Sequence, residues 1–283
     1  LRKLYNWAIG RTVYGLLQSP CDRLSPSALV GPAKLRDRVL RDDELRLVWR
    51  ASDTLGYPFG PLTRLLLITG QRLREVSDLR WGELDLKERL WTIPAERMKG
   101  DAAHEVPLCL MAIDLINSLP RFSGDYVFTT TDGERPVSGF SKAKARLDAI
   151  VGDLRAKEAA GKESDEKIAP PWRFHDLRRT MRTHLSALPV QDLVRELVIA
   201  HRKPGLHRVY DQHAYREEKQ EAMKLWDARL RAILDEKSGV ADHSEGKVIQ
   251  RRGGSPGVNV VKMRREPAKA SADGQGREKR KTS

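Results

Sequence analysis

The chain has 283 residues, 40% of them hydrophobic, and its 52 Lys and Arg against 39 Asp and Glu give a net charge of +13. That apolar share can build a core in a chain this long, which excludes wholesale disorder, a collagen-like fibre and a small disulfide scaffold. The longest uncharged apolar runs, residues 65–70 and 106–113, fall far short of the roughly 18 residues of a membrane span, and two cysteines, Cys21 and Cys109, make no disulfide framework.

Residues 1–17 carry Leu4, Trp7, Ala8, Val13, Leu16 and Leu17 at helical spacing and predict one helix. The chain starts at Leu1 rather than Met, so this helix is expected to be the remnant of an upstream domain. Pro20, Pro26, Gly31 and Pro32 mark residues 18–40 as a linker, because proline fixes the backbone and removes a donor. Asp42 or Asp43 is expected to cap a helix through Leu45, Val48 and Trp49. A second helix, apolar almost all round, follows Pro61 and is interrupted at Gly70; Leu73, Val76 and Leu79 resume a helical face. Over residues 83–106 the period shortens to that of three antiparallel strands, with Lys99-Gly100-Asp101 as the turn between the second and third. Helices are predicted over 108–119 and 138–156, then a charged surface loop over 158–171. Three more helices follow over 175–188, 191–201 and 214–236. The expected fold class is mainly α with one small antiparallel sheet, its folded domain spanning 41–236. Residues 237–283 hold 12 basic and 5 acidic residues and no aromatic one. They cannot bury enough apolar surface to offset ordering entropy, so they are expected to form a disordered basic tail that holds polyanions through phosphate contacts.

Four islands carry chemistry: residues 69–75 around Arg72, Lys99 on its turn, His175 with Arg178, and His201 followed nine residues later by Tyr210. Together they suit a phosphodiester. Arg72 and Arg178 can clamp non-bridging oxygens bidentately and stay charged at any working pH. His175, three residues before Arg178 on one helix side, titrates near neutrality and can move protons. Tyr210 can be a nucleophile where neighbouring cations offset its high pKa, and Lys99 can protonate a leaving alkoxide. The set needs neither metal nor cofactor. His201, His207 and His213 lie six apart, do not share a helical face and have no Cys or acidic pair to complete a ligand set. Singly, each residue fits an ordinary structural role; their joint order is what carries the reading. Trp172 and Trp226 are expected in the core, and Tyr215 on the packing stripe of the last helix.

In that order, the islands resemble the tyrosine recombinase family, specifically prophage-type phage integrases. Thr69-Gly70-Gln71-Arg72-Leu73-Arg74-Glu75 is similar to the family's first-arginine box, with Glu75 in the supporting acidic place. Residues 95–99 before His104-Glu105-Val106-Pro107-Leu108 resemble the hairpin of the catalytic lysine, Lys99. His175-Asp176-Leu177-Arg178-Arg179-Thr180 matches the His-x-x-Arg box; Ile199-Ala200-His201 stands where Leu-Gly-His is usual, and Val209-Tyr210-Asp211 where the nucleophile is expected. The resemblance covers residues 41–235. It implies the DNA breaking-rejoining catalytic fold, a core-binding domain of which residues 1–17 would be the last helix, and a site-specific recombinase that integrates or excises a mobile element. The implied partners are double-stranded DNA, a homo-tetramer on paired sites working through a Holliday junction, and accessory DNA-bending proteins. No membrane partner is expected, and the expected location is the bacterial cytoplasm, at the nucleoid. A topoisomerase-like relaxation enzyme and an inactive DNA-binding relic are the alternatives left open.

Overall fold

A computed structural model describes residues 1–24, 31, 36–98, 102–159, 170–201 and 215–235. These fall within one of the chain's two compact units, residues 1–238; the second, 239–283, lies outside the described residues together with the predicted tail. Helix α1 spans Arg2–Gly10, α2 Asp42–Leu55, α3 Phe59–Thr69 and the short α4 Leu73–Ser77. Strands β1 (Leu84–Asp85), β2 (Leu90–Ile93) and β3 (His104–Pro107) follow, then α5 (Leu110–Asn117), α6 (Phe140–Ala159), α7 (Phe174–Ser186), α8 (Asp192–Val198) and α9 (Arg216–Asp235). The sheet has the order β1-β2-β3 and is antiparallel throughout, with Trp91 opposite Val106 and Ile93 opposite His104. The expected class, mainly helical with one small antiparallel sheet, is the architecture found.

Helix α3 lies at the centre and packs against α2, α4, α5, α7 and α9. Its near-continuous apolar sequence follows from that position: Leu62, Leu65, Leu66, Leu67 and Ile68 are all buried, whereas a surface helix would show one apolar stripe. Pro61 sits in its first turn, where a missing N–H breaks no helical hydrogen bond. Helix α2 buries Leu45, Val48 and Ala51 towards α3. Gly60 permits the close approach of the two helices, since a Cβ there would lie 2.1 Å from the Ser52 carbonyl oxygen. Trp226 of α9 is fully buried, as expected, while Trp172 is half-buried, edge-on to Phe174 with Lys144 Nζ 3.9 Å from its ring centre.

Several boundaries differ from the sequence reading for local reasons. The first helix stops at Gly10, and Thr12 turns into the left-handed region at φ 53°, so residues 11–17 are not helical. Neither Asp42 nor Asp43 caps α2. The cap position is Arg41, whose N–H donates to Glu44 Oε2 at 2.8 Å. Residues 36–40, at the end of the expected linker, pack along α7: Arg36 Nε donates to Asp176 Oδ2 at 3.0 Å and the Leu40 N–H to Thr180 Oγ1 at 3.0 Å. Most of the predicted loop over 158–171 and the turn at 99–101 lie outside the described residues. Among the described residues, no helix is long and apolar enough to cross a membrane.

The approach of α2 and α3 gives a direct test. Gly60→Ala forces a methyl group into the Ser52 carbonyl and should lower stability by about 2–3 kcal/mol, read as a fall of several degrees in thermal midpoint.

Candidate active site

The site is built where α3 ends. A helix leaves its last carbonyls without intrahelical donors, and here side chains from the adjoining turn and from two distant helices supply them. Trp226 donates its indole N–H to the Ile68 and Leu67 carbonyls at 3.1 and 3.3 Å. Gln71 Nε2 donates to the Thr69 carbonyl at 2.9 Å, and Arg178 Nη1 to the Gly70 carbonyl at 2.9 Å. Gly70 turns the chain at φ +64°, and a Cβ there would lie 2.8 Å from Met181 Sδ; backbone and packing both require glycine.

Arg72 follows at the N-cap of α4. The buried Glu75 accepts its backbone N–H at 2.7 Å and its Nη1 at 2.6 Å, so one carboxylate fixes both the backbone and the direction of the guanidinium. Arg72 keeps 32% of its side chain exposed, whereas Arg178 is 3% exposed. Arg178 Nη2 also donates to the Ile199 carbonyl. Burial, and then the neighbouring Arg72 charge, push the Arg178 pKa down to about 10, which leaves it charged at neutral pH.

His175 and Arg178 come from the first two turns of α7. The N-terminus of that helix is organised by Asp176, which is fully buried. It accepts the Arg173 N–H at 2.8 Å, Arg179 Nη1 at 2.6 Å and the Arg36 guanidinium from the 36–40 segment. His175 itself is exposed at the helix start. Partial burial of its ring, then Arg178 and Arg179, hold its pKa below the ordinary imidazole value, with Asp176 opposing.

His201 follows α8 by three residues. Its Nδ1 lies 2.8 Å from Glu196 Oε2, and Glu196 also accepts Arg182 Nε at 2.8 Å. The His201 N–H donates to the Glu196 carbonyl at 2.8 Å and the Ala200 N–H to the Leu197 carbonyl at 3.1 Å. This is the paired-bond helix ending that places its turning residue in the left-handed region, and Ala200 has φ +54°. The alanine that replaces the usual glycine before His201 therefore sits in a conformation that favours glycine, which is also why the predicted helix over 191–201 stops at Val198.

Arg72, His175 and Arg178 thus converge on the break after α3. His201 lies two residues beyond Ile199, whose carbonyl holds Arg178. A cleft of about 410 Å³ beside them is lined by Met98, His104, Ala200, His201, Tyr215 and Lys219. A wider groove of about 1030 Å³, along residues 80–87, contains none of the candidate residues. Lys99 and Tyr210 lie outside the described residues, as do His207 and His213. Tyr215 is half-buried against the core, at φ +50° just before α9.

Residues 38–217 match the model of the phage integrase family. The chain belongs to the phage integrase family. Prophage integrase IntZ of Escherichia coli (strain K12) is 31% identical over 175 residues, covering 60% of this chain and 39% of that protein. Prophage integrase IntA of the same strain is 26% identical over 231 residues, covering 77% of this chain and 51% of that protein. The chain spans about half, or less, of the length of these curated relatives. Among solved structures, a lambda integrase(75-356) dimer bound to a COC′ core site overlays with a TM-score of 0.46 at 17% identity, covering 71% of this chain and 70% of that one.

In this phage integrase domain, three residues that shape the site have no role assigned by the sequence reading: Gln71, Asp176 and Glu196. Asp176 had a local signal, an acidic residue at the third position of a helix, able to accept the N–H of the residue before the helix. Gln71 reaches the Val198 carbonyl across the fold and leaves no local pattern.

Two tests follow from this geometry. Ala200→Gly relieves the left-handed strain and should stabilise the fold by about 1 kcal/mol after allowing for unfolded-state entropy, raising the thermal midpoint by about 2–4 °C. The second concerns acid. His104, His175 and His184 all have folded pKa values below the ordinary imidazole value, chiefly through burial, with His104 at about 3. On lowering the pH through 6.5 the unfolded chain takes up protons first, so stability present above that pH is lost as it falls. At pH 5, His104 alone should account for about 2 kcal/mol. Thermal melts at pH 7 and pH 5 should show the drop, and His104→Leu should shrink it by about that amount.

Proposed function

We propose that this chain is the catalytic part of a site-specific DNA recombinase that cleaves and rejoins DNA through a 3′-phosphotyrosyl intermediate. The observation that carries the reading is the pairing of two guanidiniums at one helix break. Arg72 is fixed by Glu75, Arg178 is fixed by the Gly70 and Ile199 carbonyls, and the two are close enough for the charge of one to depress the pKa of the other. Two cations held together at fixed geometry favour an anion between them, and a phosphodiester in transit to a five-coordinate state supplies growing charge there.

In this reading the Tyr210 oxygen attacks the phosphorus in line, forming the phosphotyrosyl bond as the bond to the 5′-oxygen breaks. The phenolic proton passes to His175, and Lys99 donates a proton to the departing 5′-oxygen. Arg72, Arg178 and His201 stabilise the charge on the non-bridging oxygens, and Glu75 orients Arg72. The link conserves bond energy, so the reverse attack by a 5′-hydroxyl of another strand rejoins DNA without ATP. The reading needs no cofactor. Family membership supports double-stranded DNA as the partner. A homo-tetramer on paired sites, strand exchange through a Holliday junction, accessory bending proteins and a place at the bacterial nucleoid belong to the same proposal.

The domain plan is also proposed: residues 1–17 as the end of a core-binding domain, 18–40 as linker, 41–236 as catalytic domain and 237–283 as a basic tail. The exposure of Leu4 and Trp7 on α1 supports a helix whose apolar side packs on something outside residues 41–236.

The test is covalent trapping on a nicked duplex carrying the cognate site, with the full-length protein. Wild type should yield an adduct whose peptide maps to Tyr210, and Tyr210→Phe should yield none while still binding DNA. Arg178→Lys keeps the charge but cannot hold two carbonyls and a phosphate; cleavage should fall by about 100-fold or more with DNA affinity changed by less than about threefold. An adduct on Tyr215, or trapping by Tyr210→Phe, would overturn the nucleophile assignment.

A further inference from the structure

Arg97 closes the short turn Ala95–Arg97 that follows β2, and its side chain is largely buried. Its Nη1 pairs with both carboxylate oxygens of Glu83. Glu83 ends the single turn Trp81–Glu83, and its side chain is 8% exposed. It also accepts the Trp91 indole N–H from β2 at 3.0 Å, so this carboxylate is held from two sides. The second arm of the Arg97 fork crosses to α4: Nη2 donates to the Glu75 carbonyl at 2.5 Å and lies 3.5 Å from the Arg74 carbonyl. Glu75 is the residue whose carboxylate holds the Arg72 N–H and guanidinium. One buried acid thus faces Arg72 with its side chain and Arg97 with its backbone.

On the recombinase reading above, we propose that Arg97 is a positioning residue: by holding the Glu75 carbonyl it sets where α4 presents Glu75, and so the direction of the Arg72 guanidinium. Helix α4 has only five residues. So short a helix is not stable on its own backbone hydrogen bonds, and its place depends on what holds it. The Arg74 carbonyl takes the Asp78 N–H at 3.2 Å, and the carbonyl after it takes Arg97. An ion pair with Glu83 alone could be made by any cation of the right length. The planar guanidinium adds a second donor at a fixed angle, which lets one residue pair with Glu83 and also reach a carbonyl on another element. Arg72 keeps 32% of its side chain exposed, so its direction rests on the Glu75 contact more than on packing. A small displacement of such a contact costs far more in rate than in binding.

Two changes to the scissile phosphate separate the groups through which Arg97 could act. A methylphosphonate lacks one anionic oxygen and lowers the demand for a well-aimed guanidinium. A bridging 5′-phosphorothiolate gives a leaving thiolate that needs no proton and lowers the demand for Lys99. Arg97→Lys keeps a cation beside Glu83 and loses the second arm; Arg97→Met loses both. Full-length protein is assayed for single-turnover cleavage of nicked cognate duplexes and for DNA affinity. On the natural phosphate both variants should cleave at least about tenfold more slowly, with affinity within about twofold. On the methylphosphonate they should come within about threefold of wild type, and on the phosphorothiolate they should stay slow. An unchanged rate on the natural phosphate, an equal deficit on all three duplexes, or recovery on the phosphorothiolate would overturn the proposal. Hydrogen exchange of the Arg72 amide, which the Glu75 carboxylate holds, reads the same contact without the chemistry and should be about tenfold faster in both variants. If wild type forms no adduct, the recombinase reading fails and exchange alone decides Arg97: unchanged protection of the Arg72 amide overturns the positioning role. If Arg97→Met does not fold, Arg97→Lys carries the comparison.

Discussion

The end of α3 is the constraint on which the rest of the site depends. A central helix that must stop inside the protein exposes carbonyls that water cannot reach, and buried acceptors without donors are costly. Here the donors arrive from Trp226, Gln71 and Arg178, which lie on the last helix, on the turn itself and on α7. Satisfying one helix terminus thus draws two remote segments, α9 and α7, to the turn. The same hydrogen bonds that close the helix also aim a guanidinium.

Around that point, the candidate side chains among the described residues have neighbouring carboxylates that organise them. Glu75 holds Arg72, Glu196 faces His201, and Asp176 organises the start of the helix bearing His175 and Arg178. Asp176 also receives Arg36, so the segment that leads into α2 is tied to the helix carrying two of the candidate residues.

Much of this was legible from residue order. The apolar sequence of α3, its interruption at Gly70, the three short strands and the spacing of Arg72, His175, Arg178 and His201 gave the architecture and the convergence. A helical arginine is ordinarily a surface or ion-paired residue; Arg178 is instead almost wholly buried, because its partners are backbone carbonyls that no sequence pattern advertises. Gln71 and Val198 are joined over 127 positions; such a pairing exists only once the chain is folded. The helix ends at Gly10 and Val198 were misjudged because single left-handed residues, Thr12 and Ala200, overrode the apolar period.

The cradle of Arg178 has a kinetic consequence. A free arginine side chain samples many rotamers, and freezing it costs up to about 2 kcal/mol at 25 °C. Here two backbone carbonyls have already removed that freedom as the protein folds. On the proposed reading, a phosphate that reaches Arg178 meets a side chain with little left to order. On the proposed recombinase reading, the activation entropy should then carry little contribution from Arg178 and more from the partly exposed Arg72.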